Sequence, residues 1–269
     1  MHQHLINLNK IMNLALNNKK VLITGASRGI GLAITKTFLN EQAKTCLVSR
    51  GSNALFENEK KLQDIYGLEN SFACKCDCTN IESLTSLKNK VKDRWGSLDI
   101  VVVNVGNGRS VSDALSDDEQ WQKVWRNNFE SALQTARVFL PMLEKSKGCL
   151  LFISSIAGIE AFGAPTDYST AKSAIIALAK NMARKLASDN IRVNVIAPGN
   201  VYFEGGSWDE KIQQDKKRVD EIIKSTVPMN RFAIPQEIAD SAVFLCSDRA
   251  SFITGTTLVI DGGQTVGVF

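Results

Sequence analysis

The stretch Val21-Leu22-Ile23-Thr24-Gly25-Ala26-Ser27-Arg28-Gly29-Ile30-Gly31 decides how the rest of the chain is read. An apolar β-branched run ends in a glycine-spaced turn, and an amphipathic stretch follows at once. The run has the continuous apolar character of a strand buried on both faces of a parallel sheet. Gly25 permits a tight turn, and Gly29 and Gly31 permit close backbone approach where the next helix begins. The first N–H groups of that helix have no intrahelical partner and carry the positive end of its dipole, so the turn presents donors suited to an anionic phosphate.

Outward from this turn, similar apolar runs recur at Lys44–Val48, Ser71–Cys76, Ile100–Asn104, Cys149–Ser154, Arg192–Ile196 and Thr257–Ile260. Amphipathic helices are expected between them, near Ile30–Glu41, Ala54–Tyr66, Ile81–Arg94, Asp118–Lys145, Tyr168–Ala187 and Pro235–Cys246. Pro141 should kink or end the long middle helix. This alternation implies an α/β fold, a Rossmann-type doubly wound parallel sheet of about seven strands with helices on both faces. Residues 19–269 read as one domain after an N-terminal extension over 1–18, expected to be flexible, with Met12 as an alternative start. A polar segment near 199–226 interrupts the pattern and is expected to form a mobile helix over a substrate site.

Composition narrows the function. The 269 residues carry 32 Lys and Arg against 28 Asp and Glu, a formal charge of +4 with no concentrated basic patch, which argues against nucleic-acid binding. No segment resembles a signal peptide or a membrane span. Six cysteines lack a disulfide-like spacing, and Cys74, Cys76 and Cys78 alternate as a strand face does rather than as zinc ligands do. A reducing, cytoplasmic setting is expected, with no metal.

The glycine turn in this context points to a dinucleotide. Where an NAD site usually has a carboxylate for the ribose 2′-hydroxyl, this chain has Ser49-Arg50, and Arg28 lies inside the turn. Guanidinium groups suit a 2′-phosphate, so NADP(H) is the expected cofactor. Tyr168 and Lys172, four apart on one helix, share a face. An ammonium beside a phenol should lower its pKa toward the working range of an acid–base group. Ser154-Ser155 stand at the carboxyl end of the preceding strand, and Asn128 puts a polar group on an otherwise core-facing helix.

These residues together resemble the short-chain dehydrogenase/reductase family, in its non-extended branch, from about Leu14 to Phe269; the likeness is greatest to 3-oxoacyl-carrier-protein reductase-like members. Thr24, Gly25, Gly29 and Gly31 match its turn. Asp77 after the third strand matches its adenine contact, with Cys78 beside it. Asn104 and Gly106 match part of its fourth-strand element, where Val103 replaces an asparagine. Arg192-Val193-Asn194, Pro198-Gly199 and Asp261-Gly262-Gly263 match later elements. The resemblance implies hydride transfer between NADP(H) and a carbonyl or secondary alcohol, with Tyr168 as acid–base group and Ser155 holding the reacting oxygen. Lys172 would tune the tyrosine and bind the nicotinamide ribose, and Asn128 would position a relay water. Ser27, Ile30, Ser49, Arg50 and the backbone near Val201 would complete the cofactor site. Phe203 departs from the threonine common at that position. A homo-tetramer or homo-dimer is implied, with the Ala171, Ile175, Leu178 and Met182 stripe a possible contact or simply core. The alternative function is an NADP(H)-binding sensor without turnover, which would ordinarily lack the tyrosine or lysine. Enoyl reductases space the pair more widely, and residue 175 is Ile, not Lys. Arg109, Ser110, Tyr202, Glu204 and Trp208 are expected near the substrate.

Overall fold

The computed structural model describes residues 13–268. Seven strands, β1 (Lys20–Thr24), β2 (Lys44–Ser49), β3 (Ser71–Lys75), β4 (Ile100–Val103), β5 (Cys149–Ile153), β6 (Arg192–Pro198) and β7 (Thr257–Ile260), form one parallel sheet in the order β3-β2-β1-β4-β5-β6-β7. The chain reverses its direction of travel between β1 and β4, and ligands of open α/β sheets collect at the carboxyl edge beside such a reversal.

Side chains alternate strictly between two cores, as the strand period of two requires. Leu22, Val101, Val103, Leu150 and Phe152 face one core, which α3 (Ile81–Trp95), α5 (Ser131–Ser146) and α6 (Thr166–Leu186) cover. Val21, Ile23, Ile100, Val102, Leu151 and Ile153 face the other, under α1 (Gly29–Asn40), α2 (Asn53–Tyr66) and α8 (Pro235–Cys246). Cys46, Cys74, Cys76 and Cys78 fill the first core, and all six cysteines are free and buried. Within the stripe on α6, Ala171 and Ile175 are buried against the chain's own sheet, whereas Leu178 and Met182 are half-buried at its margin.

Two expectations need correction. The long middle helix runs from Asp118 to Ser146 as α4 (Asp118–Trp125), a π-helical turn at Arg126–Glu130 and α5. Pro141 does not end it, since α5 continues through the proline to Ser146. Phe139 and Leu143 are fully buried on either side of the proline, and that packing offsets its missing hydrogen bond. The second correction concerns the N-terminal extension. Residues 1–12, including Met12, lie outside the described residues, but Asn13 to Asn18 are docked: Leu16 is 2% exposed, Asn18 N–H donates to the Gln42 carbonyl, and Arg249 donates to the Asn13 carbonyl. The polar segment forms the expected helix, α7 (Ser207–Thr226), kinked at Asp215 and with a small core of its own, Val219, Ile223 and Val227 against Trp208, Ile212 and Phe232.

Among the described residues no helix is long and apolar enough to cross a membrane. Leu16→Ala should lower unfolding free energy by about 2–5 kcal/mol, the cost of emptying a filled core position, read from urea denaturation. An unchanged midpoint would mean that the segment before β1 is not part of the folded unit.

Candidate active site

The glycine turn leaves β1 and opens α1. Gly25 has φ 65 and Gly29 φ 53, a left-handed backbone that disfavours side chains. At Gly31 a Cβ would lie 2.3 Å from the Gly25 carbonyl oxygen, so the turn closes only with glycine there. Asn104 pins it from β4: its side-chain amide donates to the Thr24 and Gly25 carbonyls at 3.1 and 3.2 Å, and its N–H donates to Thr24 Oγ1 at 2.9 Å. Arg28, at the N-cap of α1, makes no side-chain cap, which leaves the first-turn donors of Gly29, Ile30 and Gly31 available for an anion.

The two arginines read from the sequence diverge. Arg28 donates to the Gly205 carbonyl at 2.8 Å, whereas Arg50 reaches Asn127 Oδ1 at 3.4 Å. Ser49 is buried and its hydroxyl donates to the Gly51 carbonyl. A hollow of about 380 Å³ lies between Ser27 and the segment Gly51-Ser52-Asn53-Ala54 at the start of α2, whose N-cap Ser52 makes no side-chain cap. Sequence reasoning overlooked Gly51, Ser52 and Asn53; their signal was a Gly-Ser-Asn helix start directly after the arginine. Asp77 Oδ1 accepts from the Thr79 N–H and hydroxyl, and Cys78 is buried.

At the carboxyl ends of β4, β5 and β6 the remaining groups converge. Lys172 is 4% exposed, donates to the Ile153 carbonyl at 3.1 Å, and holds its ammonium 5.7 Å from the centre of the Tyr168 ring. A Cβ on Gly106 would come within 2.9 Å of that Nζ and 2.6 Å of Asn128 Oδ1, so the backbone at Gly106 lies directly against both. Asn128 is fully buried inside the π-helical turn. Its Oδ1 accepts from the Asn107 N–H, and its amide donates to the Asn107 and Val124 carbonyls. The serines separate: Ser154 donates to the Lys172 carbonyl and is buried, whereas Ser155 is half-buried, accepts a local bond from the Ala157 N–H and turns its hydroxyl to the Tyr168 phenol.

The electrostatics differ from the sequence expectation. Burial pushes the Tyr168 phenol above its ordinary value, and the Ser155 hydroxyl draws it part of the way back. Lys172 does not lower it; burial instead takes the Lys172 ammonium down to about 8. Desolvation disfavours both charged forms, which leaves a neutral phenol beside a weakly held ammonium proton.

On the substrate side, Arg109 pairs with Glu210 at the start of α7, Tyr202 donates to Asp209, and Ser110 donates to Asp167. Trp208 stacks on Phe232 within the small α7 core and so is not a free pocket wall. A hollow of about 340 Å³ is lined by Asn107, Arg109, Ser110, Gln120, Lys123 and Asn127. Near Pro198-Gly199, Val201 forms a parallel bridge with Ala233 that uses the flanking Asn200 carbonyl and Tyr202 N–H, leaving Val201's own N–H and C=O out of it. The Phe203 ring lies on Gly29, where an added Cβ would meet it at 2.8 Å.

Residues 25–265 match a family model described as Enoyl-(Acyl carrier protein) reductase. A 3-oxoacyl-(acyl-carrier-protein) reductase of Chlamydia muridarum is 34% identical over 254 residues, covering 94% of this chain and 100% of that protein. An uncharacterized oxidoreductase of Bacillus subtilis is 34% identical over 262 residues, covering 94% and 98%. Among solved structures, L-sorbose reductase of Gluconobacter frateurii, determined with NADPH and L-sorbose, superposes with a TM-score of 0.89 at 30% identity, covering 96% of this chain and 100% of that one. With this agreement along nearly the whole chain, on a sheet of this order, the protein belongs to the short-chain dehydrogenase/reductase family of oxidoreductases.

Proposed function

We propose that the protein transfers a hydride between NADP(H) and a small-molecule carbonyl or secondary alcohol, with Tyr168 as the proton donor and acceptor. The observation that carries this reading is the meeting of Tyr168, Lys172, Ser155 and Asn128 at the carboxyl edge of the sheet, beside a glycine turn with uncapped helix donors. The cofactor, when bound, supplies or accepts the hydride. The residues present fit it: the N–H groups of Gly29, Ile30 and Gly31 would hold the pyrophosphate, with Thr24, Gly25 and Ser27 shaping the turn. Arg28, Ser49 and Arg50, with the Ser52 and Asn53 helix start, would hold the 2′-phosphate. Asp77 and Cys78 would flank the adenine, and Asn104, Gly106, Lys172, Pro198, Gly199 and Val201 the nicotinamide end.

In the reductive direction Ser155 donates a hydrogen bond to the substrate oxygen and Tyr168 Oη gives it a proton. The raised phenol pKa keeps Tyr168 in the donating form at neutral pH. Lys172, anchored to the Ile153 carbonyl, would bind the nicotinamide ribose beside the phenol, and Asn128 holds Asn107 and the adjoining backbone where a relay water would sit. The four-residue spacing from Tyr168 to Lys172 favours carbonyl over enoyl reduction. Relatives acting on a 3-oxoacyl thioester and on L-sorbose mark two substrate classes to assay. A homo-dimer or homo-tetramer in the cytoplasm fits the half-buried β7 at the sheet edge, the bare Phe252 and six free thiols.

Tyr168→Phe should retain NADPH affinity while turnover falls by about 100-fold or more, followed by NADPH absorbance with acetoacetyl thioester and L-sorbose as probes. A near wild-type rate would remove Tyr168 from the acid–base role. Arg50→Asp should lower the preference for NADPH over NADH, as a ratio of kcat/KM, on the order of 10- to 100-fold, the loss of a charge-assisted hydrogen bond. An unchanged ratio would mean the 2′-phosphate is held elsewhere.

A further inference from the structure

The loop between β4 and α4, residues 104–117, touches Lys172, Asn128 and Tyr168. Gly106 lies against Lys172 and Asn128, and Gly108 lies against the Tyr168 ring, where an added Cβ would stand 3.6 Å from Cζ. A loop of this length, rich in Gly, Ser and Asn, does not hold such a path by its own propensity. Two clamps hold it. One is Asn128, which grips both the N–H and the C=O of Asn107. The other is Asp167, the residue before the tyrosine.

Asp167 is 3% exposed, an unusual place for a carboxylate. Its Oδ2 accepts from the Ser110 hydroxyl at 2.5 Å and the Ser116 hydroxyl at 3.0 Å, and its Oδ1 accepts from the Tyr168 N–H at 2.7 Å. Gln120 donates to Ser110 Oγ at 3.1 Å and so extends the network to α4. The carboxylate therefore does three things at once. It binds two separated points of the loop, it caps the amide of Tyr168 itself, and it sits in the first turn of α6, where the helix dipole favours negative charge.

We propose that Asp167 is a positioning residue for the reaction: by clamping Ser110 and Ser116 onto the helix turn that bears Tyr168, it holds Gly108 against the phenol and limits the access of water to it. The proposal rests on the reading of Tyr168 as the proton donor. Once the clamp is lost, the loop lifts, the phenol is hydrated, and the proton is delivered from a less defined position. Cofactor binding on the Gly25–Gly31 side, which the network does not touch, is left as it was. Asn at this position preserves the shape and the Oδ1 acceptor, and the two serine hydroxyls can rotate to accept from its amide.

The test has two readouts. Turnover and NADPH affinity are compared for wild type, Asp167→Ala, Asp167→Asn, the Ser110→Ala/Ser116→Ala double variant and Tyr168→Phe, with acetoacetyl thioester and L-sorbose as probes. Separately, tyrosinate ultraviolet absorbance is titrated in a Tyr66→Phe/Tyr202→Phe background. The chain has three tyrosines, so Tyr168 is then the one observed. Asp167→Ala and the serine double variant should each lower kcat by about 10- to 100-fold, as when a reacting group is misplaced, at unchanged NADPH affinity. The Tyr168 titration should move down toward that of a free phenol, and Asp167→Asn should restore most of both. Wild-type kcat and an unmoved titration in a folded Asp167→Ala would overturn the proposal, as would equal losses in Asp167→Ala and Asp167→Asn. If Tyr168→Phe keeps its rate, the acid–base reading itself fails, a result separable from either.

Discussion

The buried ammonium of Lys172 is the constraint around which the site is built. A charged group at 4% exposure is costly unless paired, and its pKa of about 8 expresses that cost. The Ile153 carbonyl at the end of β5 accepts its hydrogen bond, so the helix carrying Lys172 is fixed to the sheet edge at that point. Asn128 Oδ1 and this ammonium together leave little room for a side chain at residue 106, so the loop after β4 approaches as bare backbone. Tyr168, one helical turn earlier, is carried to the same edge. Three elements distant in sequence thus meet around one buried positive charge.

The parallel sheet makes that place useful. Because every strand points the same way, the ends of β1, β4, β5 and β6 all open on one edge, and the change in winding direction between β1 and β4 leaves a crevice there. The glycine turn occupies one side of the crevice and the tyrosine helix the other. Asn104 links them, donating to the turn at Thr24 and Gly25 two residues before Gly106 meets Lys172. The proposed cofactor and proton-transfer groups therefore meet on the residues directly after β4, whereas α7 carries a separate small core.

The strands, their parallel arrangement, the glycine turn and the Tyr168–Lys172 pair were legible because each rests on local chemistry: continuous apolar runs, left-handed glycines and helical spacing. What was not legible depends on contacts across the fold. The π-helical turn at Asn128 has no signature in Arg126-Asn127-Asn128, and Pro141 reads as a helix end because nothing local reveals how firmly Phe139 and Leu143 are packed. The docking of Leu16 is a long-range contact. The direction of the Tyr168 shift was misread because proximity to a lysine was visible and the burial of both groups was not. Asp167 carries no local signal of its contacts, because Ser110 and Ser116 reach it from a loop distant in sequence.

The most direct test of this account is a crystal structure of the protein with NADPH bound. The account predicts pyrophosphate oxygens on the Gly29, Ile30 and Gly31 N–H groups, the nicotinamide ring between Gly199 and Tyr168, and Lys172 within hydrogen-bonding reach of the adjoining ribose. A dinucleotide seated with its nicotinamide away from the Tyr168 hydroxyl, or with its pyrophosphate off the glycine turn, would contradict it.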